Sequence, residues 1–489
     1  VTHGATPLHD LGALEAAELM AAGQLTSVAL VEHLAARIAD REPTLHALIA
    51  VHPQALEQAR SADERRAAGV PLSRLDGIPV ILKDNIECLG LPGTAGSLAM
   101  SAAAQRDAPL VARLRAAGLV ILAAANLSEW ANFRGKGSTS GWSAVGGLTD
   151  NPWRPGHSAG GSSAGSGAAL AARYAPLAIG TETDGSITCP AALCGVVGLK
   201  PTVGTVPAQG VVPISASQDV PGPMGRSVSD VAALLHVLAG EPADEVERGG
   251  PVLRAAGEDF APPPRRYVLG APEAWLTGDA ATDALVAQAL ESLRAAGLAV
   301  VPVELPDADD QVGADEVTVL VHEMADDLDD YLAHRPGGGP ASVAEVVAFN
   351  TAHAEDELAH FGQEYLEAAV ASGGRSAPEY GAARARNLAW ALDQVLGPAF
   401  AHGIDVLVAP AYGPAWVSDL EGGDSFASGA VTHPPAIAGW PILTIPIGLV
   451  GGLPIGLSLV GLEHGEDALL AVGAVVEAAI GWAQAPPES

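Results

Sequence analysis

The feature that most constrains this chain is a succession of strand-length apolar runs separated by segments with helical spacing. Gly77-Ile-Pro-Val-Ile-Leu-Lys83 is entered through a turn, and Leu119-Val-Ile-Leu122 follows the helix-like run Leu110–Gly118. Ala168–Ala172 and Leu177–Ile179 make a second helix–strand step. Tyr267–Gly270, a helix around Asp283–Ala296 and Leu298–Val303 form a strand–helix–strand unit. Three further strand candidates follow at Ile404–Pro410, Pro441–Pro446 and Pro454–Gly461. Nearer the start, Thr26–Ile38 opens on capping residues and sets Val31, Leu34 and Ile38 at helical spacing. Strands alternating with helices predict an α/β fold, a sheet sandwiched by helices. No internal repeat is visible.

Composition narrows the function classes. With 48% hydrophobic residues in 489, the chain can bury a large core. The balance of 25 basic and 57 acidic residues gives a net charge of −32, which disfavours nucleic acid and anionic membranes as partners. No apolar run reaches the ~18 residues of a membrane span. The nearest, Asp467–Glu477, is broken by acidic residues and reads as a packed helix. Three cysteines, Cys88, Cys189 and Cys194, make neither a disulfide framework nor a zinc pattern, and the last two sit in apolar surroundings. No leader is visible at Val1, so a cytoplasmic protein, or an exported one whose leader was removed, are both open. Residues 240–265 read as a Pro- and charge-rich surface connection, and 313–400 as acidic and helical.

Two serine-bearing segments could carry chemistry. Thr181-Glu-Thr-Asp-Gly-Ser-Ile-Thr-Cys-Pro-Ala191 places Ser186 after a glycine between apolar segments. Gly160-Gly-Ser-Ser-Ala-Gly-Ser-Gly167 feeds an Ala-rich helix, and a Gly-rich turn there presents backbone N–H donors to negative charge. It lacks the lysine of a phosphate-binding loop. Gly161–Gly165 fits G-x-S-x-G formally, but a nucleophile elbow needs a preceding strand, and Asn151–Ala159 cannot supply one. Lys83, one of only three lysines with Lys136 and Lys200, ends an apolar strand; an exposed strand end is the bland alternative. At the margin of a core it would lose hydration, and desolvation lets a neutral amine act as base. Glu182 and Asp184 shape the loop, and His157 and Lys200 are structural. The 14 histidines form no H-x-x-x-H or H-E-x-x-H cluster, so no metal is expected.

Asp76–Asn85, Ala125–Trp130, Gly160–Gly165, Gly180–Ile187 and Gly195–Thr202 appear in order along the chain, and on them it resembles the amidase signature family. The resemblance implies a mixed central sheet flanked by helices on both faces. It implies one amidase domain over 1–489, with a signature core at about 70–230 and a variable helical region at about 310–400. It gives Ser186 as nucleophile, Ser162 as a bridging serine after a cis peptide, and Lys83 as base. Backbone N–H groups of Thr183, Asp184, Gly185 and Ser186 would form the oxyanion hole, and Thr188 would contact substrate. No cofactor is implied. Many members carry Arg where this chain has Thr188, which argues against an acidic substrate and, with the charge, against glutamyl-tRNA. Asn126–Arg134, Ile179–Ile187, Pro213–Asp219, Pro221–Met224 and Gly413–Trp416 resemble bacterial peptide amidases. The expected reaction is therefore removal of a peptide C-terminal amide as ammonia. Hydrolysis of small neutral aliphatic or aryl amides is the alternative, and a non-catalytic binding protein on this fold the reading from another class. The sequence leaves the oligomeric state open.

Overall fold

The computed structural model describes residues 2–3, 6–240, 267–306, 310–401, 403–427 and 431–487. Beyond residue 240, the connection expected at 240–265 lies outside them. Eleven strands join in one sheet. They are β1 (Leu48–Val51), β2 (Pro79–Lys83), β3 (Val120–Ala125), β4 (Leu177–Glu182), β5 (Val197–Lys200) and β6 (Val220–Gly225). The remainder are β7 (Val268–Pro272), β8 (Ala299–Val303), β9 (Val406–Pro410), β10 (Ile442–Val450) and β11 (Leu453–Val460). Their order across the sheet is β8-β7-β9-β11-β10-β5-β6-β4-β2-β3-β1.

The sheet is mixed, as the resemblance implies. β2 runs parallel to both β3 and β4, and β7 parallel to β8 and β9. The middle of the sheet, from β9 through β11, β10, β5 and β6 to β4, is antiparallel. β2, β3 and β4 are buried on both faces, which is why β2 and β3 read as unbroken apolar runs. Burying each of Val80, Ile81 and Leu82 contributes roughly 1.5–3 kcal/mol.

Six helices position or flank the site: α1 (Ala164–Ala171), α2 (Thr188–Cys194), α3 (Val228–Ala239), α4 (Asp310–His334), α5 (His433–Ala438) and α6 (Glu466–Ile480). Alternation along β10 assigns two of them to opposite faces. Leu443 and Ile445 pack at Gly473 of α6 with Val228 of α3, whereas Thr444 and Gly456 pack toward Ala192 of α2. α1 starts four residues earlier than its apolar spacing predicts. Gly165 is there for close approach, since a Cβ would strike the carbonyl of Ala47 and the backbone of Asn126. No described helix is long and apolar enough to cross a membrane, and Asp467–Glu477 lies inside α6.

The acidic region is helical as expected, with α4 followed by Val343–Ala352, Glu364–Ser372 and Pro378–Leu388. A fully buried arginine ties it to the rest. Arg134 donates to Glu129 Oε1 at 2.6 Å, to the carbonyls of Phe361 at 3.0 Å and Gly362 at 3.2 Å, and to the carbonyl of Glu357. Its guanidinium also lies 3.9 Å from the centre of the Phe361 ring. Removing one partner of a buried charge network strands the other, so Arg134→Met is expected to lower unfolding free energy by ~3–5 kcal/mol in urea denaturation. A loss below ~1 kcal/mol would mean that this anchor does not hold the helical region in place.

Candidate active site

The site sits where β2 and β4 end side by side. Lys83, the last residue of β2, has no exposed surface. Its Nζ donates to Ser162 Oγ at 2.7 Å, to Thr181 Oγ1 at 2.9 Å and to the Thr181 carbonyl at 3.2 Å. Asn85 Nδ2 reaches the same Thr181 hydroxyl at 3.0 Å. Burial lowers the Lys83 amine to about 7, against the opposing pull of Asp219 and Glu182. Ser162 precedes α1, and the Gly161–Ser162 peptide is cis. Its carbonyl accepts from the N–H of Ser128 at 3.0 Å. Ser163 Oγ meets both the N–H and the carbonyl of Thr181, each at 3.2 Å, and so ties the start of α1 to β4.

Ser186 lies in the loop between β4 and α2, where the N–H of Ser163 donates to its carbonyl at 3.1 Å. The structure thus brings Lys83 and Ser162 into direct contact, with Ser186 bonded to the next residue along. Glu182 shapes this loop: its Oε2 accepts from the N–H groups of Ile187 at 2.6 Å and Thr188 at 2.9 Å. A carboxylate at the first turn of α2 is matched to the helix dipole. Thr183 Oγ1 donates to Asp219 Oδ1 at 2.5 Å, and Asp219 Oδ2 takes the N–H groups of Ile214 and Ser215. Gly185 has φ +80°, and a Cβ there would press on the Tyr412 hydroxyl. Among the described residues no acceptor takes the N–H of Asp184, Gly185 or Ser186.

Ser186 opens into a cavity of about 190 Å³ that Thr183, Asp184, Gly161 and Cys189 also line. Its apolar wall is Phe133, Leu320, Tyr412, Trp416 and Phe426. Asp424 sits in that wall, accepting from Ser140 Oγ at 2.6 Å and Trp416 Nε1 at 3.1 Å. A larger cavity of about 820 Å³ adjoins it and shares Ala131, Thr183 and Ile214. Thr188 is fully buried and lines neither cavity; its neighbour Cys189 faces the smaller one.

Several residues around the site carry no signal in the sequence. His433 Nδ1 lies 2.8 Å from Asp184 Oδ2 and 3.0 Å from Glu316 Oε2. Among the described residues, these three are the one group that brings His, Cys, Asp or Glu ligand atoms within 4.8 Å of one another. Tyr412 is likewise unmarked, whereas Asn85, Thr181 and Asp219 stand inside motifs that carry the resemblance. Lys200 is a buried hydrogen-bonding residue, donating to the Trp440 carbonyl at 2.7 Å. All three cysteines are free and buried.

The sheet order and this arrangement at the ends of β2 and β4 define the amidase-signature fold. The model of the family described as Amidase matches residues 29–470, and the chain belongs to that family. A peptide amidase from Stenotrophomonas maltophilia is 41% identical with TM-score 0.89, over 98% of this chain and 99% of that one. A peptide amidase solved with the competitive inhibitor chymostatin is 42% identical with TM-score 0.90, over the same shares. A glutamyl-tRNA(Gln) amidotransferase subunit from Symbiobacterium thermophilum is 35% identical over 94% of this chain and 95% of its own length.

Proposed function

We propose that the chain hydrolyses the C-terminal carboxamide of peptides to the acid and ammonia, through an acyl-enzyme on Ser186. The observation that carries the reading is the buried Lys83 amine 2.7 Å from Ser162 Oγ, held near pH 7 where much of it is free base. Ser162 gives its proton to Lys83 Nζ and takes the proton of Ser186 as Ser186 Oγ bonds to the carbonyl carbon. A hydroxyl both donates and accepts, so one serine can serve both steps. The carbonyl electron pair moves onto oxygen, toward the N–H groups of Thr183, Asp184, Gly185 and Ser186. Each well-aimed donor of this kind lowers the barrier by ~3 kcal/mol. Collapse then breaks the C–N bond, the proton returns through Ser162 to the leaving nitrogen, and ammonia departs. Water attacks the ester, gives its proton to the relay, and frees Ser186 and the acid.

Identity of 41–42% to peptide amidases over nearly the whole chain supports a peptide substrate. The net charge of −32 weighs against a tRNA-bound substrate. Small neutral amides are the second reading, favoured by the modest 190 Å³ next to Ser186. Mass spectrometry on a blocked peptide amide separates the two. Conversion of the terminal amide to the acid, with internal bonds intact, is expected. No conversion, alongside hydrolysis of a small aryl amide, would move the substrate to the second reading.

A further inference from the structure

The oxyanion loop is built around a side chain that the reaction just described does not use. Asp184 stands between its two neighbours Thr183 and Gly185, 18% exposed, with its carboxylate against His433. Glu316, almost fully buried on α4, lies 3.0 Å from the same imidazole nitrogen. Two carboxylates this close repel unless a cation lies between them. We propose that His433 is a positioning residue: by bridging Asp184 and Glu316 it clamps the loop whose backbone N–H groups receive the oxyanion to the helical region at 310–334. The inference rests on the assignment of residues 183–186 given above.

The charges around the bridge agree with an imidazolium. The charge of Asp184, and then that of Glu316, holds His433 well above the ordinary histidine range, against its partial burial. Burial pushes Asp184 up, but His433, Thr432 and Lys200 outweigh it and leave the carboxyl low. Other groups face the cluster. Glu182 and Lys200 lie on the Asp184 side, and Tyr412 adjoins Asp184 from the strand end at 410. Arg384 donates to the Ile437 carbonyl of α5 at 2.8 Å, and Gln218 donates to Glu316 Oε1 at 2.9 Å. Lys200, whose burial brings it to about 8, also acts on Asp184 with its charge, so the test must separate it from His433.

The bridge predicts its own pH signature. His433 stays protonated until the pH passes its raised value, so the clamp is complete at neutral pH and is lost as the pH rises through that value. Steady-state kcat and KM on one peptide amide, from neutral to alkaline pH, test this in wild type, His433→Gln, His433→Lys and Glu316→Gln. His433→Gln is expected to lower kcat about 10–100-fold, less than the ~10²–10³-fold of an oxyanion donor removed outright, with KM little changed. His433→Lys keeps a cation and should restore kcat and move the alkaline fall to higher pH. Glu316→Gln should move it to lower pH, and carries the test alone if the His433 variants do not fold. Wild-type kcat in His433→Gln, or an alkaline fall at one pH in all four proteins, which would belong to Lys200, overturns the proposal. Loss of activity in Ser186→Ala beside full activity in His433→Gln would sink the clamp alone; an active Ser186→Ala would sink the reading beneath it.

Discussion

Ser186→Ala is expected to lower kcat/KM on every amide the enzyme accepts by at least about 10⁴-fold, or about 5.5 kcal/mol of transition-state stabilisation. The reasoning is local. Ser186 is 8% exposed, at the one point where the loop after β4 meets both the cavity and the start of α1. Alanine keeps the backbone, so the N–H groups of residues 183–186, the Glu182 cap on α2 and the Ser163-to-Ser186 bond all survive. Binding of a peptide amide, measured by calorimetry, should therefore stay within a few fold of wild type while turnover disappears. Trapping adds a direct readout. A slowly hydrolysed activated ester should leave its acyl group on the wild-type peptide containing Ser186 and nowhere in the variant. Retention of a tenth or more of wild-type turnover, or an acyl group on another residue, would mean that a different nucleophile does the chemistry.

That a serine in a Gly-rich loop could be picked out at all reflects which contacts the sequence encodes locally. Lys83, Ser162 and Ser186 stand in short motifs whose neighbours set their backbone: β2 delivers Lys83, the turn before α1 delivers Ser162, and Gly185 allows the loop before α2. The apolar runs mark most of the sheet, with ends displaced by a few residues. What stays hidden is instructive. β6 contains Pro221 and Pro223, which argue against a strand inside a sheet. It forms because those prolines lie opposite Thr181 and Ile179 of β4, while β5 pairs only with Met224 and Gly225. The proline stretch thus has a partner on one side only. β5 itself reads as a motif, with nothing to mark it as the strand joining β10 to β6. His433 and Glu316 meet Asp184 across 249 and 132 positions of chain, and no local pattern encodes a contact that the packing of α4 and α5 creates.

Lys83→Met is the second large effect, and it should separate activity from stability. Methionine keeps the length of the side chain and removes the proposed base, so kcat is expected to fall by about 10³-fold, within the usual range for a lost general base. The rise of wild-type activity through about pH 7, where the buried amine gives up its proton, should vanish with it. Stability moves the other way. An unfolded lysine holds its proton up to about its ordinary 10.5, whereas the folded amine releases it near 7. Between those values the unfolded chain binds more protons, so the stability of wild type rises with pH across that window. At pH 7 and below, keeping the amine neutral or burying its charge costs on the order of 5 kcal/mol. Methionine escapes that cost but leaves Ser162 Oγ without its lysine partner, at ~1–3 kcal/mol, while the Thr181 hydroxyl keeps Asn85 and the Thr181 carbonyl keeps Ser163 Oγ as donors. The variant should therefore be more stable than wild type to urea at neutral pH by ~2–4 kcal/mol, and the difference should shrink and reverse as pH approaches 10. A variant less stable than wild type at every pH would mean that Lys83 is held charged by its surroundings, and a charged Lys83 could not accept the proton of Ser162.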